Sequence, residues 1–270
     1  TGKTPFAIYI YKVLKKLGYK PVFLTRGYGG LLKGPIEIED THNFKHVGDE
    51  ALLLNKIGPT IVSKNRYLGA KLIEKHEDNF NIIIMDDGLQ NYQLEHDIKF
   101  LLVDKKLKFG NEFCIPAGPL REPVNQGLIS IDAIVLTGNN NKDIDFNNIH
   151  NKTVFNSKVK TMFLPKIKNE KLLAFCGLAN SNKFYETLRE NGFNVTSTKS
   201  FPDHYEYKNG DIDKLISEAN SQNLKLITTE KDYIKINDDQ NMIITLPIEI
   251  EFDVSDKAVF KSFLQEKLNG

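Results

Sequence analysis

Ile82-Ile83-Ile84-Met85-Asp86-Asp87-Gly88-Leu89-Gln90 is the stretch on which the fold turns. Four consecutive apolar residues lack the alternation of a half-exposed strand, so they predict a strand covered by helices on both faces. The run ends in two adjacent carboxylates and a glycine, and open α/β sheets bind their ligands beyond the carboxyl ends of strands. Upstream, Pro21 to Thr25 is a strand of the same kind; downstream, Phe100 to Val103 and Ala133 to Leu136 repeat it. Helical stretches alternate with them. Phe6, Ile10, Val13, Leu14 and Leu17 fall at helical spacing, and Gly18 suits a left-handed cap. Ser63 is the expected cap of a helix running to about His76. Short apolar strands alternating with helices predict an α/β fold built on a doubly wound, mostly parallel sheet.

The second half repeats the theme on a smaller scale. Residues 138–151 are polar and Asn-rich without periodicity, which predicts a surface excursion before a domain boundary. Lys158 to Ile167 reads as extended connecting chain. Then come a strand at Leu172 to Cys176, a helix at Asn182 to Asn191 ended by Gly192, a strand at Leu224 to Thr228 and a helix from about Lys257 to Leu268. No internal repeat is visible. The pattern predicts two α/β domains: a core over residues 1–157 and a smaller domain over 158–270 that closes over the active site.

Composition narrows the function classes. Lys plus Arg total 36 against 35 Asp plus Glu in 270 residues, so no global field draws the chain to nucleic acid. Forty per cent hydrophobic and 26 per cent charged residues is an ordinary globular balance. Cys114 and Cys176 sit in apolar stretches with no Cys or His at ligand spacing, so both read as small buried hydrophobes of a reducing compartment. No stretch reaches the roughly 20 apolar residues of a spanning helix. Residues 1–34 hold seven Lys or Arg and no acid, among them Lys12, Lys15, Lys16 and Lys20. That cluster suits an anionic membrane surface as well as it suits a solvated helix face.

The chemistry sits in loops at strand ends and helix starts. Thr1-Gly2-Lys3-Thr4 before an amphipathic helix is the back half of a P-loop. Gly2 lets the backbone approach phosphate, N–H groups at the helix start face the anion, Lys3 neutralises the β and γ oxygens, and Thr4 can ligate magnesium. Opposite such a loop, Asp86 and Asp87 match a Walker B arrangement, one carboxylate for the metal and one for proton work; alone they would read as a solvated turn. Arg26, past a strand end in Arg26-Gly27-Tyr28-Gly29-Gly30, can clamp phosphate bidentately. Arg66 follows Asn65, and Arg121 lies in Pro116-Ala117-Gly118-Pro119-Leu120-Arg121-Glu122-Pro123. For each arginine a surface charge or structural ion pair is the plain alternative.

Taken in order, these motifs with Val47-Gly48-Asp49-Glu50 and Phe109-Gly110-Asn111 resemble the tetraacyldisaccharide 4'-kinase (lipid A 4'-kinase) family of Gram-negative bacteria. Phe201-Pro202-Asp203-His204-Tyr205 and Thr228-Thr229-Glu230-Lys231-Asp232 resemble its C-terminal signatures, so the likeness spans residues 1 to about 236. The resemblance implies a magnesium-dependent transfer of the ATP γ-phosphate to the 4'-hydroxyl of a tetraacyldisaccharide 1-phosphate, giving lipid IV-A. It implies a peripheral enzyme on the cytoplasmic face of the inner membrane, with the lipid A disaccharide precursor and that membrane surface as partners and no protein partner. Carried onto this chain, it implies nucleotide binding by Thr1, Gly2, Lys3, Thr4 and Pro5, with Lys3 also catalytic. Magnesium falls to Thr4 and Asp87, and the general base to Asp86 with His204 beside it. Substrate contacts fall to Arg26, Glu50, Arg66, Gln90 and Arg121. Asn91 stands where the family usually has His, and Ala51 where it usually has Pro. The upstream glycine of the P-loop and the family's hydrophobic membrane-associating segment would precede Thr1, so the natural chain is expected to start earlier.

The other five histidines, His42, His46, His76, His96 and His150, lie in polar or loop contexts and read as surface residues. Two other functions compete with the kinase. A regulatory P-loop NTPase of the guanine-specific kind would carry Asn-Lys-x-Asp after a late strand, and the sequence has none. A nucleotide-binding scaffold without turnover has no use for a carboxylate pair at the γ-phosphate.

Overall fold

The computed structural model describes residues 2–138, 152–162, 167, 169–238 and 241–269. The Asn-rich stretch from residue 139 to 151 therefore lies outside the described residues, and so does Thr1. The chain forms α1 (Lys3–Lys16), β1 (Pro21–Thr25), β2 (Ile36–Glu37), α2 (Phe44–Val47), α3 (Asp49–Asn55), β3 (Thr60–Val62), α4 (Arg66–Glu74) and β4 (Ile82–Met85). Next come β5 (Phe100–Asp104), α5 (Val124–Ile129), β6 (Ala133–Thr137), β7 (Thr153–Thr161) and β8 (Lys171–Cys176). The remainder forms α6 (Ser181–Glu190), β9 (Asn194–Ser200), α7 (Asn209–Ser221), β10 (Lys225–Thr229), α8 (Glu230–Tyr233), β11 (Ile243–Leu246), β12 (Ile248–Phe252) and α9 (Val254–Asn269).

Two compact units divide the chain. Unit one holds Thr1–Pro21, Ile84–Lys160 and Glu249–Gly270; unit two holds Val22–Ile83 and Thr161–Ile248. Each unit draws on both halves of the chain: residues 22–83 belong to unit two and 249–270 to unit one.

Unit one is built on a sheet of order β12-β7-β6-β5, with β5–β6 and β6–β7 parallel. β6 shows why its sequence is apolar throughout. Ala133 and Val135 pack with Phe6, Phe155, Phe252 and Phe260 on one face, while Ile134 and Leu136 pack with Val103, Leu128 and Ile131 on the other. Both faces are covered, so no position is left for a polar residue. α1 docks through Phe6, whose ring meets Phe100 edge-on at 5.4 Å.

Unit two repeats this logic around a sheet of order β11-β10-β8-β9, all parallel. Leu172, Ala174 and Cys176 of β8 pack with Phe184, Tyr185 and Leu188 of α6, and Leu173 and Phe175 with Ile212, Leu215 and Ala219 of α7. Each of these large side chains, fully buried, contributes about 1.5–3 kcal/mol against exposure. A second sheet has the order β2-β3-β1-β4, with β1–β3 parallel and β2–β3 antiparallel.

Three local expectations change. Asn65, not Ser63, caps α4: its side chain accepts from Leu68 N–H, while the Ser63 hydroxyl donates to the Asn65 carbonyl. β4 is not covered on both faces: it leaves Ile83 exposed, and it stands last in its sheet's order. Lys158 to Thr161 is the end of β7 rather than connecting chain, and the strand's ladder to β6 runs up to Ser157.

Candidate active site

In unit one, α1 starts at Lys3 with Gly2 as its N-cap, at φ 80° and ψ 7°. A Cβ on Gly2 would meet nothing closer than 3.9 Å, so the left-handed backbone, not lack of space, demands glycine. No acid occupies the first turn. The helix start therefore keeps its positive end for an anion. Two carboxylates after β4 meet it. Thr4 Oγ1 donates to Asp86 Oδ2 at 2.9 Å, and Lys3 Nζ lies 2.6 Å from Asp87 Oδ1. Arg121 adds a second cation: its Nη2 is 3.5 Å from Asp87 Oδ2, and its Nη1 donates to Gln90 Oε1 at 3.3 Å. Gln90 in turn donates to Glu122 Oε1 at 3.0 Å. Burial pushes the Asp87 carboxyl up, but Lys3 and Arg121 outweigh it and hold the group below the usual aspartate range. Asp87 also takes a left-handed φ of 53°, a strained conformation of the sort that gathers at functional sites.

The donor set fits magnesium. Thr4 and Asp86 offer two hard oxygens side by side, and no group of three or more His, Cys, Asp or Glu able to hold a metal exists among the described residues. Magnesium is usually held by one or two protein oxygens, with phosphates and water completing its shell.

Unit two carries a second constellation. Gly48, at φ 90° and ψ 153°, is the N-cap of α3, and a Cβ there would sit 2.2 Å from the Tyr28 carbonyl oxygen. A Cβ on Gly30 would lie 2.6 Å from the Val47 carbonyl carbon. Gly27 and Gly30 thus serve close packing, which Leu31 and Leu32 N–H secure by donating to the Lys45 and His46 carbonyls at 2.9 Å. This packing fixes Asp49 at the first position of α3. Its Oδ1 accepts from Glu50 N–H at 2.9 Å, and its Oδ2 lies 3.0 Å from His204 Nδ1. His204 adopts φ 56°, its N–H bonds the Asp203 carboxylate, and the Tyr28 ring lies 5.3 Å away. Such a backbone costs roughly 1–3 kcal/mol and persists only where its surroundings over-determine it.

The turn after β10 closes this group. Lys231 Nζ lies 3.2 Å from both His204 Nε2 and Glu50 Oε1. Asp232 is wholly buried, with Oδ2 accepting from Thr229 Oγ1 at 2.7 Å and from Gly177 N–H at 3.1 Å. Lys235, also buried, brings its ammonium to 3.0 Å from Asp232 Oδ1, 3.9 Å from Asp49 Oδ2 and 5.5 Å above the Tyr207 ring. Burial, then the Asp232 charge, push the Tyr207 phenol well above its ordinary value.

Comparison with known proteins now gives these motifs a family. The family model described as tetraacyldisaccharide-1-P 4'-kinase matches residues 1–269. The tetraacyldisaccharide 4'-kinase of Rickettsia bellii is 38% identical over 255 residues, covering 94% of this chain and 78% of that protein. The chain belongs to the tetraacyldisaccharide 4'-kinase family. The tetraacyldisaccharide 4'-kinase of Paramagnetospirillum magneticum is also 38% identical, over 256 residues covering 93% of this chain and 78% of that one. Among solved structures, the LpxK of Aquifex aeolicus, crystallised in complex with ATP, superposes with a TM-score of 0.79 at 26% identity, covering 99% of this chain and 84% of that one. The expected α/β, P-loop NTPase-like fold is the fold of this tetraacyldisaccharide 4'-kinase family member.

Each expected site residue has its place in the kinase-family chain. Gly2, Lys3, Thr4 and Pro5 occupy the N-cap and first turn of α1, and Thr1 lies outside the described residues. Thr4, expected to share magnesium with Asp87, bonds Asp86 instead, because Asp87 is drawn to Lys3 and Arg121. Asp86, expected beside His204, is the partner of Thr4, and the carboxylate on His204 is Asp49. Glu50 holds Lys231; Gln90 and Arg121 bond each other. Arg26 is exposed, whereas Arg66 is buried with its Nη1 on the Ser63 carbonyl. Asp49 was legible only as part of Val-Gly-Asp-Glu. What sets it apart from Glu50 is its burial, a property of packing.

Proposed function

We propose that this chain transfers the γ-phosphate of ATP to the 4'-hydroxyl of a tetraacyldisaccharide 1-phosphate, yielding lipid IV-A in lipid A biosynthesis. Family membership supports it, and the observation that carries it is the paired contact of Lys3 with Asp87 and Thr4 with Asp86 at a helix start free of acid. Gly2 and the first turn of α1 receive the phosphates, and Lys3 and Arg121 turn from Asp87 to the transferring group, where cations stabilise the developing charge. Thr4 and Asp86 would hold magnesium, which would supply neutralisation of the phosphate charge that develops during transfer.

The acceptor hydroxyl needs a base. The Asp49–His204 pair is suited to that role: a nearly buried carboxylate orients a partly exposed imidazole, the arrangement in which an imidazole accepts a proton well. The hydroxyl oxygen attacks the γ-phosphorus as its bond to the β–γ bridging oxygen breaks. ADP leaves with that electron pair, and the hydroxyl proton passes to the pair. Residues 158–270 contribute His204 and the turn bearing Lys231.

The acceptor is a lipid, and we place the chain peripherally at the cytoplasmic membrane face. No helix of the described residues is long and apolar enough to cross a membrane. Lys12, Lys15, Lys16 and Lys20 are all exposed, and each can add about 1 kcal/mol near anionic lipid. The test is phosphorylation of tetraacyldisaccharide 1-phosphate in mixed micelles with γ-labelled ATP. Label in the lipid, dependent on magnesium and lost in Lys3→Ala, is expected. ATP hydrolysis indifferent to the lipid would instead mark a regulatory NTPase.

A further inference from the structure

The contacts of Lys231 give the motif at 228–232 a role. A lysine ammonium has three donors and no acceptor. Its Nζ lies 3.2 Å from His204 Nε2, so that nitrogen must offer a lone pair. The ring proton then belongs on Nδ1, which can donate to Asp49 Oδ2 at 3.0 Å. The opposite tautomer would set two donors face to face at Nε2 and two acceptors face to face at Nδ1, losing both bonds. The doubly protonated ring would satisfy Asp49 but confront Lys231. One protonation state alone satisfies both neighbours.

We infer that Lys231 is a positioning residue that holds His204 as the neutral, Nδ1–H tautomer and so poises the Asp49–His204 pair for its task. This rests on that pair being the base. Lys231 is itself fixed from two sides. Glu50 accepts from it at 3.2 Å, and its short helix α8 is anchored one residue on by Asp232, which Thr229, Gly177 N–H and Lys235 bind. Lys231 faces the ring nitrogen that Asp49 does not use, and the side chains of Lys231 and its partner Glu50 stay partly accessible. An anionic acceptor can therefore compete for Lys231 without disturbing the buried Asp232–Lys235 pair.

The experiment is two-bond ¹H–¹⁵N correlation of the imidazoles in the labelled full chain, with His204 assigned by the pattern lost in His204→Gln. The parent should show a protonated Nδ1 and a bare Nε2. In Lys231→Met the pattern should become mixed or reversed, while kcat falls roughly 10²-fold, because a misplaced tautomer removes general-base power. The KM for ATP should stay within about threefold. Lys231→Gln keeps an N–H donor and should keep the tautomer. A proton on Nε2 in the parent overturns the inference, as does an unchanged spectrum with unchanged kcat in Lys231→Met. The parent spectrum decides even if Lys231→Met fails to fold. Failure of the base itself reads differently: His204→Gln would retain full kcat whatever the spectrum shows.

Discussion

The two constellations are built on opposite plans. The group in unit one joins residues from three short motifs and stays open: Lys3 and Asp87 keep 47% and 44% of their side-chain surface exposed. The group in unit two gathers Asp49, His204, Lys231, Asp232 and Lys235 from three distant stretches, and buries Asp232 and Lys235 at 0% and 2%. Charges near water interact weakly and exchange partners cheaply, whereas buried ones interact strongly and tolerate no missing partner. An open group suits a site that must release Asp87 to receive phosphate. A buried one suits a base whose geometry must not drift. Substitutions in unit one should therefore show as lost activity, and those in the buried part of unit two as lost stability.

The sharpest test is in the Asp49–His204 pair, which lies between these extremes. Asp49→Asn and His204→Gln should each lower kcat by roughly 10²–10⁴-fold with little change in the ATP KM. The double variant should be scarcely worse than the poorer single, as for residues acting as one unit. Multiplicative losses would separate the two and return His204 to substrate binding. Next, Asp232→Ala should destabilise the protein by about 3–5 kcal/mol, because Lys235 is left charged and buried with only the longer 3.9 Å contact to Asp49. Urea unfolding measures it, and a loss under about 1 kcal/mol would remove the contrast between units. Lys3→Ala reverses the pattern: roughly 10²–10³-fold in kcat and no more than about 1 kcal/mol in stability. A melting point that falls with the activity would make Lys3 structural.

Legibility in the sequence follows the same division. The covered strands β6 and β8 declared themselves because both of their faces are apolar, and the phosphate-binding turn because its residues are contiguous. The cap of α4 slipped by two residues since Ser63 and Asn65 are both good caps, and only the hydrogen bonds choose. The role of Asp49 was not legible. Nothing in Val-Gly-Asp-Glu says which carboxylate turns inward; that is set by Gly48 packing on Tyr28 and by a histidine 155 positions on. The contact between Asp49 and His204 was hidden for the same reason, since sequence order carries no distance between chain segments.

The smallest effect belongs to Asp87, and its sign can be worked out. The group titrates lower folded than unfolded, since Lys3 and Arg121 outweigh its partial burial. A carboxyl lowered in this way contributes stability that is fully present above the unfolded value, about 3.9, and lost as pH falls through the folded one. With nearly half its side chain in water, that contribution should stay under about 1 kcal/mol at neutral pH and shrink in salt. Asp87→Asn isolates the charge, because asparagine tolerates the left-handed backbone that Asp87 occupies. Urea midpoints of parent and variant should differ slightly and equally from pH 7 to 5. The gap should narrow below about pH 4 as the parent's carboxyl protonates, and 0.5 M salt, roughly enough to halve the screening length, should narrow it at any pH. A gap that survives both acid and salt would mean that Asp87 acts through its backbone turn rather than its charge. Lys3 and Arg121 would then be held by something other than this carboxylate, and the release of cations to an incoming phosphate would lose its basis.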